Sequence, residues 1–459
     1  MRETIAAPRL SNKKLSTTDC IAQSLAVGPI FSAGALGVIL AGLSGGVSLF
    51  VIVVTTIGIL GIGWIVSELA KKYSGSGTVY EAIAHTLGKP VGVFAAMLYH
   101  LAITALVAAL PVIGGVFLKL FCDAHLGFNP PWWLAGLFMA ILMIGLNVLG
   151  VQVSVKAQLA IIIASAIPFL ILFFAVVADG GPSGNSLSSL NPGDIAEGGS
   201  IFKGILFAIL MFVGFEWSAA LGEETENPKH SIPRAVLATI LICAAFYAVT
   251  QYTINVGGND FVPLAGELVG SWLATLIELA ILLDILAVGV GITAAASRGY
   301  FTIARDHLLP GILTRTNAKD VPIVATLMVF GSMLLVLAVT LIKYGTDEVE
   351  GFPNAFSMFL ILAVTGGMLI CAIYVLLCLG GLKTLSSDPR SIVAGVIGVV
   401  AAAGGIAAQF VEGTAPVGDA LWGRHLGLIL VGLVAAWLAY NMSTKRADVD
   451  AAASHTIHH

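Results

Sequence analysis

Long runs of apolar residues alternate with short polar loops along almost the whole chain. A helix of roughly 20 apolar residues is long enough to cross the hydrocarbon core of a bilayer, which is about 30 Å thick. Such runs predict twelve membrane spans, at about 18–43, 47–70, 91–121, 132–150, 156–178, 201–222, 234–256, 271–297, 322–343, 354–380, 391–411 and 425–442. The pattern therefore predicts an all-α integral membrane protein.

Two of these runs are interrupted near the middle by residues that weaken a helix. The first contains Val27–Gly34 (VGPIFSAG) and the sixth contains Leu210–Glu216 (LMFVGFE). Proline deletes a backbone donor and clashes with the preceding turn, and glycine raises the entropic cost of a helix. In hydrocarbon an unpaired N–H or C=O costs several kcal/mol, so irregular backbone persists there only where it lines an enclosed cavity. The paired breaks predict a binding site near the membrane midplane, an arrangement typical of secondary transporters.

Composition supports the membrane assignment and excludes several classes of partner. The chain is 58% hydrophobic and 10% charged, and its mean hydropathy is +0.98, which excludes an ordinary water-soluble globule. The net charge is −4 and the basic residues lie in loops, so we expect no nucleic-acid partner. The five cysteines lack metal-ligand spacing and are expected to be packing residues. We expect no cofactor and no metal, and the lipid bilayer is the expected surroundings.

The positions of lysine and arginine predict the orientation, because cytoplasmic loops accumulate them. With the N-terminus inside, only Lys119, Lys203, Lys343 and Arg424 of the 22 basic residues fall on the opposite side. The basic N-terminal stretch leads into a span too long and too glycine-broken for a cleavable signal. We therefore expect a multi-pass protein of the cytoplasmic membrane with both termini in the cytoplasm.

The order of the spans predicts two repeats of opposite orientation. Because five spans form the first block, the second block must start from the other side of the membrane, and each block begins with its own broken helix. The predicted divisions are a cytoplasmic N-terminal arm at 1–17, a first repeat at 18–178, an extracytoplasmic loop at 179–200, a second repeat at 201–380, two further spans at 381–442, and a cytoplasmic tail at 443–459.

Three segments carry a resemblance to a known family. They are SELAKKYSGSGTVYEAIAHTLG from Ser67, GFEWSAALGEETENPKHSIPRAV from Gly214 and SRGYFTIARDHLLP from Ser297. In order and spacing they resemble the amino acid-polyamine-organocation superfamily of permeases, over about residues 15–440. The resemblance implies a leucine-transporter-type fold with about 12 transmembrane helices, a 5+5 inverted repeat, broken helices 1 and 6, and two peripheral helices.

The resemblance also assigns the substrate site. N–H groups at the start of the half-helix after the first break can hold an anion. The family's Gly-Ser/Thr-Gly carboxylate signature falls on Ser-Ala-Gly here, so two of its residues differ, although backbone capture of a carboxylate stays possible. In the sixth run, carbonyl groups accept the substrate ammonium and an aromatic residue closes over it. The implied substrate-binding residues are Ile30, Ser32, Ala33, Gly34, Leu210, Met211, Val213 and Phe215.

A simpler interpretation exists for each part of this site. The first break can be a proline kink with small residues for close helix packing. Phe215 can be an ordinary core or lipid-facing residue. Glu216, which continues the family pattern, is expected to bond to backbone freed by the break rather than to substrate.

Two ionisable residues lie within spans, where a charge is costly and must face a partner or water. They are Asp284 in the eighth span and His100 in the third. By resemblance both spans line the central site, so either side chain can bind an amine or carry a coupling proton. Alternatively, each is a structural group satisfied by its neighbours.

The coupling ion is left open between H⁺ and Na⁺. Some proton-coupled or sodium-independent relatives place a lysine on the fifth span, and the matching position here is Ser165. Without that ammonium there is room for Na⁺, held by Ser165, Thr293 and carbonyl groups of the first span, or for a proton carried elsewhere. The proton is favoured.

The chain lacks a P-loop, an HExxH motif and a nucleophile motif, which argues against an enzyme and against an ATP-driven pump. We therefore predict a permease that moves an amino acid or related small amine across the cytoplasmic membrane by alternating access and proton symport. The alternatives are a polyamine or organic-amine transporter, a sodium-coupled symporter, and a ligand sensor that does not transport.

Overall fold

A computed structural model of the protein describes residues 15–25, 28–73, 78–182, 184–196, 199–258, 260–349, 352–410, 423–435 and 437. The predicted cytoplasmic tail at 443–459 lies outside the described residues, as does the predicted N-terminal arm except for its last three residues.

Helices form almost all of the described chain. In chain order they are α1 Thr17–Leu25, α2 Pro29–Phe31, α3 Val38–Ser44, α4 Ser48–Lys72, α5 Thr78–Leu87, α6 Lys89–Leu126, α7 Trp132–Val148, α8 Val151–Asp179, α9 Ile201–Phe212, α10 Pro228–Gly257, α11 Phe261–Leu268, α12 Ser271–Arg305, α13 Ile323–Tyr344, α14 Phe356–Thr384, α15 Pro389–Ala408 and α16 Gly423–Ala435.

The described helices match the twelve predicted runs in order. Ten helical segments are long and apolar enough to cross a membrane, and α7 and α16 are shorter apolar helices at the fourth and twelfth positions. The first segment, Thr17–Ser44, combines α1, α2, a π-helical turn and α3; the sixth, Ile201–Leu221, combines α9 and a 3₁₀ turn. The two predicted interruptions are therefore present in the structure.

A small hairpin lies beside one end of α6. Strands β1 (Glu348–Val349) and β2 (Phe352–Pro353) pair antiparallel, with Glu348 opposite Pro353 and Val349 opposite Phe352. The ammonium of Lys119, near the end of α6, lies 2.9 Å from the Glu348 carboxylate. This ion pair fixes the hairpin against the helix bundle.

The helix packing repeats itself between the two halves of the chain. Helix α4 packs along α10, and these are the second helical segment of each half. The pairs α8 with α12 and α6 with α14 are likewise equivalent, since each joins the third segment of one half to the fifth of the other. Two similar halves of opposite orientation would produce this pairing. Both broken segments are mostly buried inside the bundle.

The periphery exposes large apolar side chains in place of polar ones. Phe174 on α8 is 65% exposed, and Ile342 on α13 is 85% exposed. Exposed apolar surface on this scale is unfavourable in water but suits contact with lipid chains. The chain is a multi-pass membrane protein.

Candidate functional site

The first break is a glycine turn followed by a proline-started helix. Helix α1 ends at Leu25, and Gly28 has φ 71° and ψ 69°, in the left-handed region. A Cβ atom at Gly28 would lie 1.9 Å from Cγ2 of Val288, so a side chain here would meet a steric clash as well as an unfavourable backbone conformation. Pro29 then starts α2, where its fixed φ suits the first helical position and its missing N–H is not needed.

The N–H groups that this break releases already have a partner. Those of Ile30 and Phe31 both donate to Oδ2 of Asp284 on α12, at 3.0 and 2.8 Å. The next N–H, from Ser32, donates to the carbonyl of Gly28 at 2.8 Å and begins the helical ladder. A carboxylate from a distant helix therefore caps the half-helix.

Beyond this cap the half-helix is itself irregular. Ser32–Gly37 forms a π-helical turn before regular α-helix resumes at Val38. π-Helical turns are rare and are frequent at functional sites, since they redirect side chains and weaken the ladder.

Asp284 is fully buried and has no cationic partner among the described residues. Its exposed fraction is 0%, and none of the described Lys and Arg residues forms an ion pair with it. Its Oδ1 has no hydrogen-bond partner within the described part of the chain. Burial of such a carboxylate is costly, and two N–H donors at the positive end of a half-helix offset only part of that cost.

The second break is also made by glycine. Helix α9 ends at Phe212, Val213 leaves the helical conformation with ψ 122°, and Gly214 has φ 120°. A 3₁₀ turn follows at Trp217–Leu221. A Cβ atom at Gly214 would lie 3.0 Å from the Trp217 ring, and its φ is one that L side chains rarely adopt.

Glu216 holds this break together from inside it. Its carboxylate accepts the Gly214 N–H at 3.3 Å, the Tyr374 hydroxyl at 3.0 Å and the Tyr99 hydroxyl at 3.3 Å. The side chain is 0% exposed, and both oxygens are used. The geometry suits a structural acceptor for freed backbone.

Two of the three carbonyl groups predicted to bind an ammonium, those of Leu210 and Met211, have protein donors in this structure. The Leu210 carbonyl accepts the Val213 N–H at 3.1 Å, and the Met211 carbonyl accepts the Tyr247 hydroxyl. Phe215, predicted to close over a substrate, packs with its ring centroid 5.7 Å from that of Tyr374. A substrate ammonium would have to share these two carbonyl groups with their protein donors, since each carbonyl oxygen has two lone pairs.

A cavity of about 60 Å³ lies between the two broken segments. Of the residues predicted from sequence, Ser32, Leu210 and Val213 line it. The remaining lining residues come from both breaks and from α6, α12 and α14: Phe31, Leu36, Leu106, Leu110, Trp217, Val288, Ile292, Phe359 and Ala363. Sequence analysis missed them because an apolar residue in an apolar span gives no contrast, although Val288 and Ile292 follow Asp284 at helical spacing.

Two other predicted residues of the first half-helix, Ala33 and Gly34, do not line the cavity. Ala33 is fully buried, and a Cβ atom on Gly34 would lie 2.6 Å from Cδ1 of Ile281 on α12. These two positions therefore serve the close approach of the half-helix to its neighbours.

His100 lies well away from Asp284. Its Nδ1 is 2.7 Å from the Ala96 carbonyl, and its Nε2 has no partner among the described residues. The ring packs beside Gly299 on α12, about 22 Å along the helix axis from Asp284. The structure therefore does not bring the two predicted ionisable residues into one site.

Ser165 and Thr293, the predicted sodium ligands, lie on packed helices. Ser165 is on α8 and Thr293 on α12, and both are buried. Neither hydroxyl has a hydrogen-bond partner within the described residues. Gln23 of α1 joins the same region, since its Nε2 donates to the Gly291 carbonyl at 3.1 Å.

Two discontinuous helices that meet at a central cavity define a polytopic transporter of the broken-helix class. The family model described as "Amino acid permease" matches residues 16–443. The chain belongs to the amino acid permease family, which confirms the superfamily predicted from sequence. Its relatives are permeases rather than enzymes.

Individual relatives match parts of the chain. The branched-chain amino acid permease BcaP of Bacillus subtilis is 29% identical over 30% of this chain and 32% of its own length. The amino acid permease YvbW of the same organism, described as uncharacterized, is 24% identical over 60% of this chain and 64% of its own length. The chain thus spans from about a third to just under two thirds of these relatives.

Solved structures share the fold at low identity. A variant of the Eremococcus coleocola manganese transporter is 14% identical with a TM-score of 0.59, covering 96% of this chain and 99% of that one. MhsT in complex with L-phenylalanine is 15% identical with a TM-score of 0.57, covering 92% and 98%. These likenesses confirm the leucine-transporter-type fold.

Proposed function

We propose that this protein is a secondary active transporter that moves an amino acid with an apolar side chain across the cytoplasmic membrane by alternating access. The substrate class follows the family and the character of the cavity. The branched-chain name of one relative agrees with it.

The observation that carries the proposal is the central cavity itself. Side chains of Leu, Val, Ile, Phe and Ala from both breaks and three further helices surround it, and Ser32 adds one hydroxyl. An apolar substrate side chain buried there gains about 25 cal/mol for each Å² removed from water. The described residues that line the cavity include no acidic side chain, which disfavours a polyamine.

The packing supports a moving unit built from the broken segments. Ser218, after the second break, donates its N–H to the Ser24 hydroxyl at 3.2 Å, which joins the two broken segments to each other. Helices α4 and α10 pack along each other beside them. Rocking of these four segments against the remaining helices would expose the cavity alternately to each side.

We propose that both termini are cytoplasmic, as the distribution of basic residues predicts.

We propose that the coupling ion is a proton. Asp284 is the buried, uncompensated acid next to the first break, whereas His100 lies on α6 and packs against a part of α12 far from Asp284. Na⁺ is the alternative coupling ion, because the Ser165 and Thr293 hydroxyls have no hydrogen-bond partner among the described residues and could coordinate it.

Uptake into proteoliposomes tests the proposal. We expect saturable uptake of labelled leucine driven by an inward proton gradient, with competition from isoleucine and valine but not from lysine, glutamate or putrescine. Uptake driven by a Na⁺ gradient alone would identify Na⁺, and not the proton, as the coupling ion. Preference for putrescine would favour the organic-amine alternative, and leucine binding without any uptake would identify a sensor.

A pair of variants on α14 links uptake to this cavity. Ala363→Leu adds three carbon atoms to a cavity-lining position and is expected to abolish leucine uptake. Ala372→Leu makes the same change on the same helix in a peripheral groove and is expected to leave uptake near wild type. Equal uptake by both variants would show that the cavity is not the substrate site.

A further inference from the structure

Three buried carboxylates near the broken segments differ in how their charge is compensated. Glu224 pairs with the Arg298 guanidinium at 2.7 Å. Glu216 accepts three hydrogen bonds on two oxygens. Asp284 accepts two backbone N–H groups on one oxygen and leaves the other without a partner in the described chain. Asp284 is therefore the acid whose charge depends most on the start of the half-helix.

The first turn of the half-helix that begins at Pro29 can stabilise a single anion. The free N–H groups at the first turn are those of Ile30 and Phe31, because Pro29 has none and Ser32 already donates to Gly28. Two carboxylates sharing this buried position would repel each other strongly, and one of them would have to be neutral. A zwitterionic substrate that brings its carboxylate to the break therefore meets Asp284 as a competitor.

We propose that the substrate carboxylate and the Asp284 carboxylate alternate as the anion bound by the Ile30 and Phe31 N–H groups, so that each substrate binds together with one proton. The proposal rests on the proposed function and specifies its coupling step. Before binding, charged Asp284 caps the half-helix. On binding, a proton from solvent adds to an Asp284 oxygen, and the substrate carboxylate takes over the N–H donors.

Within the part of the chain that the structure describes, the surroundings of Asp284 offer no other strong acid or base for this exchange. On α10 the Cys243 thiol and the Tyr247 hydroxyl face it. The half-helix Pro29–Ser44 carries no titratable side chain. The ionisable groups of α1 and α8, and the others of α12 itself, lie nearer to the helix ends: Asp19 and Cys20 on α1, Lys156 and Asp179 on α8, and Glu278, Arg298, Tyr300 and Arg305 on α12.

The test counts protons taken up on binding by the purified full-length protein. Calorimetry in buffers of different ionisation enthalpy gives that number for leucine and for 3-methylbutylamine, which is leucine without its carboxylate. We expect about one proton per leucine in the wild type and none with the amine. Because binding takes up a proton, leucine affinity should fall as the pH rises. Over the pH range of that uptake, the fall should reach up to about tenfold for each pH unit.

Two amide variants on α12 assign the proton. Asp284→Asn keeps an acceptor oxygen for the N–H groups but cannot ionise, so we expect leucine binding without proton uptake, with an affinity independent of pH. Glu278→Gln makes the same change at a residue near the outer end of α12, which contacts His125. It should retain the wild-type proton count.

The outcomes separate this inference from the proposed function. Leucine binding to the wild type without proton uptake, or equal uptake with the amine, overturns the alternation and leaves an amino acid transporter. An Asp284→Asn protein that still takes up one proton assigns the proton to another group and overturns it too. A wild type that binds no amino acid overturns both. The wild-type count requires no variant, so it stands even where Asp284→Asn fails to fold.

Discussion

In both helix breaks a carboxylate accepts the backbone N–H groups that the break leaves unpaired, but one carboxylate is close in sequence and the other is distant. In the sixth segment Gly214 is capped by Glu216, two residues away, and two tyrosines hold that carboxylate on both oxygens. In the first segment the cap is Asp284, more than 250 residues away, and one of its oxygens has no partner within the described chain. A local, saturated cap suits a fixed structure, whereas a remote, unsaturated one suits a contact that changes during transport.

The largest expected effect comes from removing the remote cap altogether. Asp284→Leu leaves the Ile30 and Phe31 N–H groups buried without an acceptor. Each unsatisfied donor costs about 1–3 kcal/mol, so the variant should lose about 2–6 kcal/mol of stability. The apparent melting temperature in detergent, measured by fluorescence-detected gel filtration, should fall clearly.

Asp284→Asn is the matched control for this loss, because its amide oxygen can still accept both N–H groups. We expect a melting temperature near wild type in Asp284→Asn and well below it in Asp284→Leu. Equal melting of the two variants would mean that the cap contributes little to the fold.

Substitution of the two glycines distinguishes steric from conformational requirements. Gly28→Ala places a methyl group 1.9 Å from Cγ2 of Val288. The backbone conformation itself, with a φ of 71°, costs an L residue only about 1–2 kcal/mol, so most of the penalty is steric. Gly214→Ala meets the far less favourable φ of 120°. Val288→Ala should therefore restore much of the melting temperature and leucine uptake lost in Gly28→Ala.

The matching pair at the second break combines Gly214→Ala with Trp217→Leu. The second substitution removes the ring that lies beside the new methyl group. We expect little recovery there, because the φ angle remains unsuitable. Recovery as large as that in the first pair would show that crowding, and not backbone conformation, limits both breaks.

A smaller effect is expected from Glu216→Gln, which changes the local cap while keeping one acceptor oxygen. The amide cannot accept from both tyrosines and Gly214 as the carboxylate does, so about 1–3 kcal/mol should be lost. Uptake should slow, but the number of protons taken up per leucine should stay at the wild-type value. A changed proton count would place Glu216 in the coupling step.

Sequence alone predicted the parts of the site that have local causes. Glycine located both breaks, together with proline in the first, because the effect of these residues on a helix acts within a turn. The structural role of Glu216 was also within reach, since it lies two residues from the N–H it accepts.

Long-range contacts were the part that sequence could not supply. Asp284 was recognised as a costly buried charge, but its bond to Ile30 joins residues 254 apart and follows from helix packing. The resemblance grouped His100 with Asp284 because both helices line the cavity, through Leu106 and Val288. Position along each helix then decides which side chain reaches the cavity, and His100 does not.

The smallest effects, and the finest test of the saturated cap, come from the two tyrosines. The Tyr374 hydroxyl donates to Glu216 at 3.0 Å and the Tyr99 hydroxyl at 3.3 Å, so the first bond is the better formed. Removal of either hydroxyl leaves the carboxylate two other donors, and the loss should stay within about 1–2 kcal/mol. Tyr374→Phe should therefore lower the melting temperature slightly more than Tyr99→Phe, and the double variant should lose more than the sum of the two, because Gly214 would then be the only donor left of the three. Additive losses would show that the three donors act independently and that Glu216 is held by its burial instead.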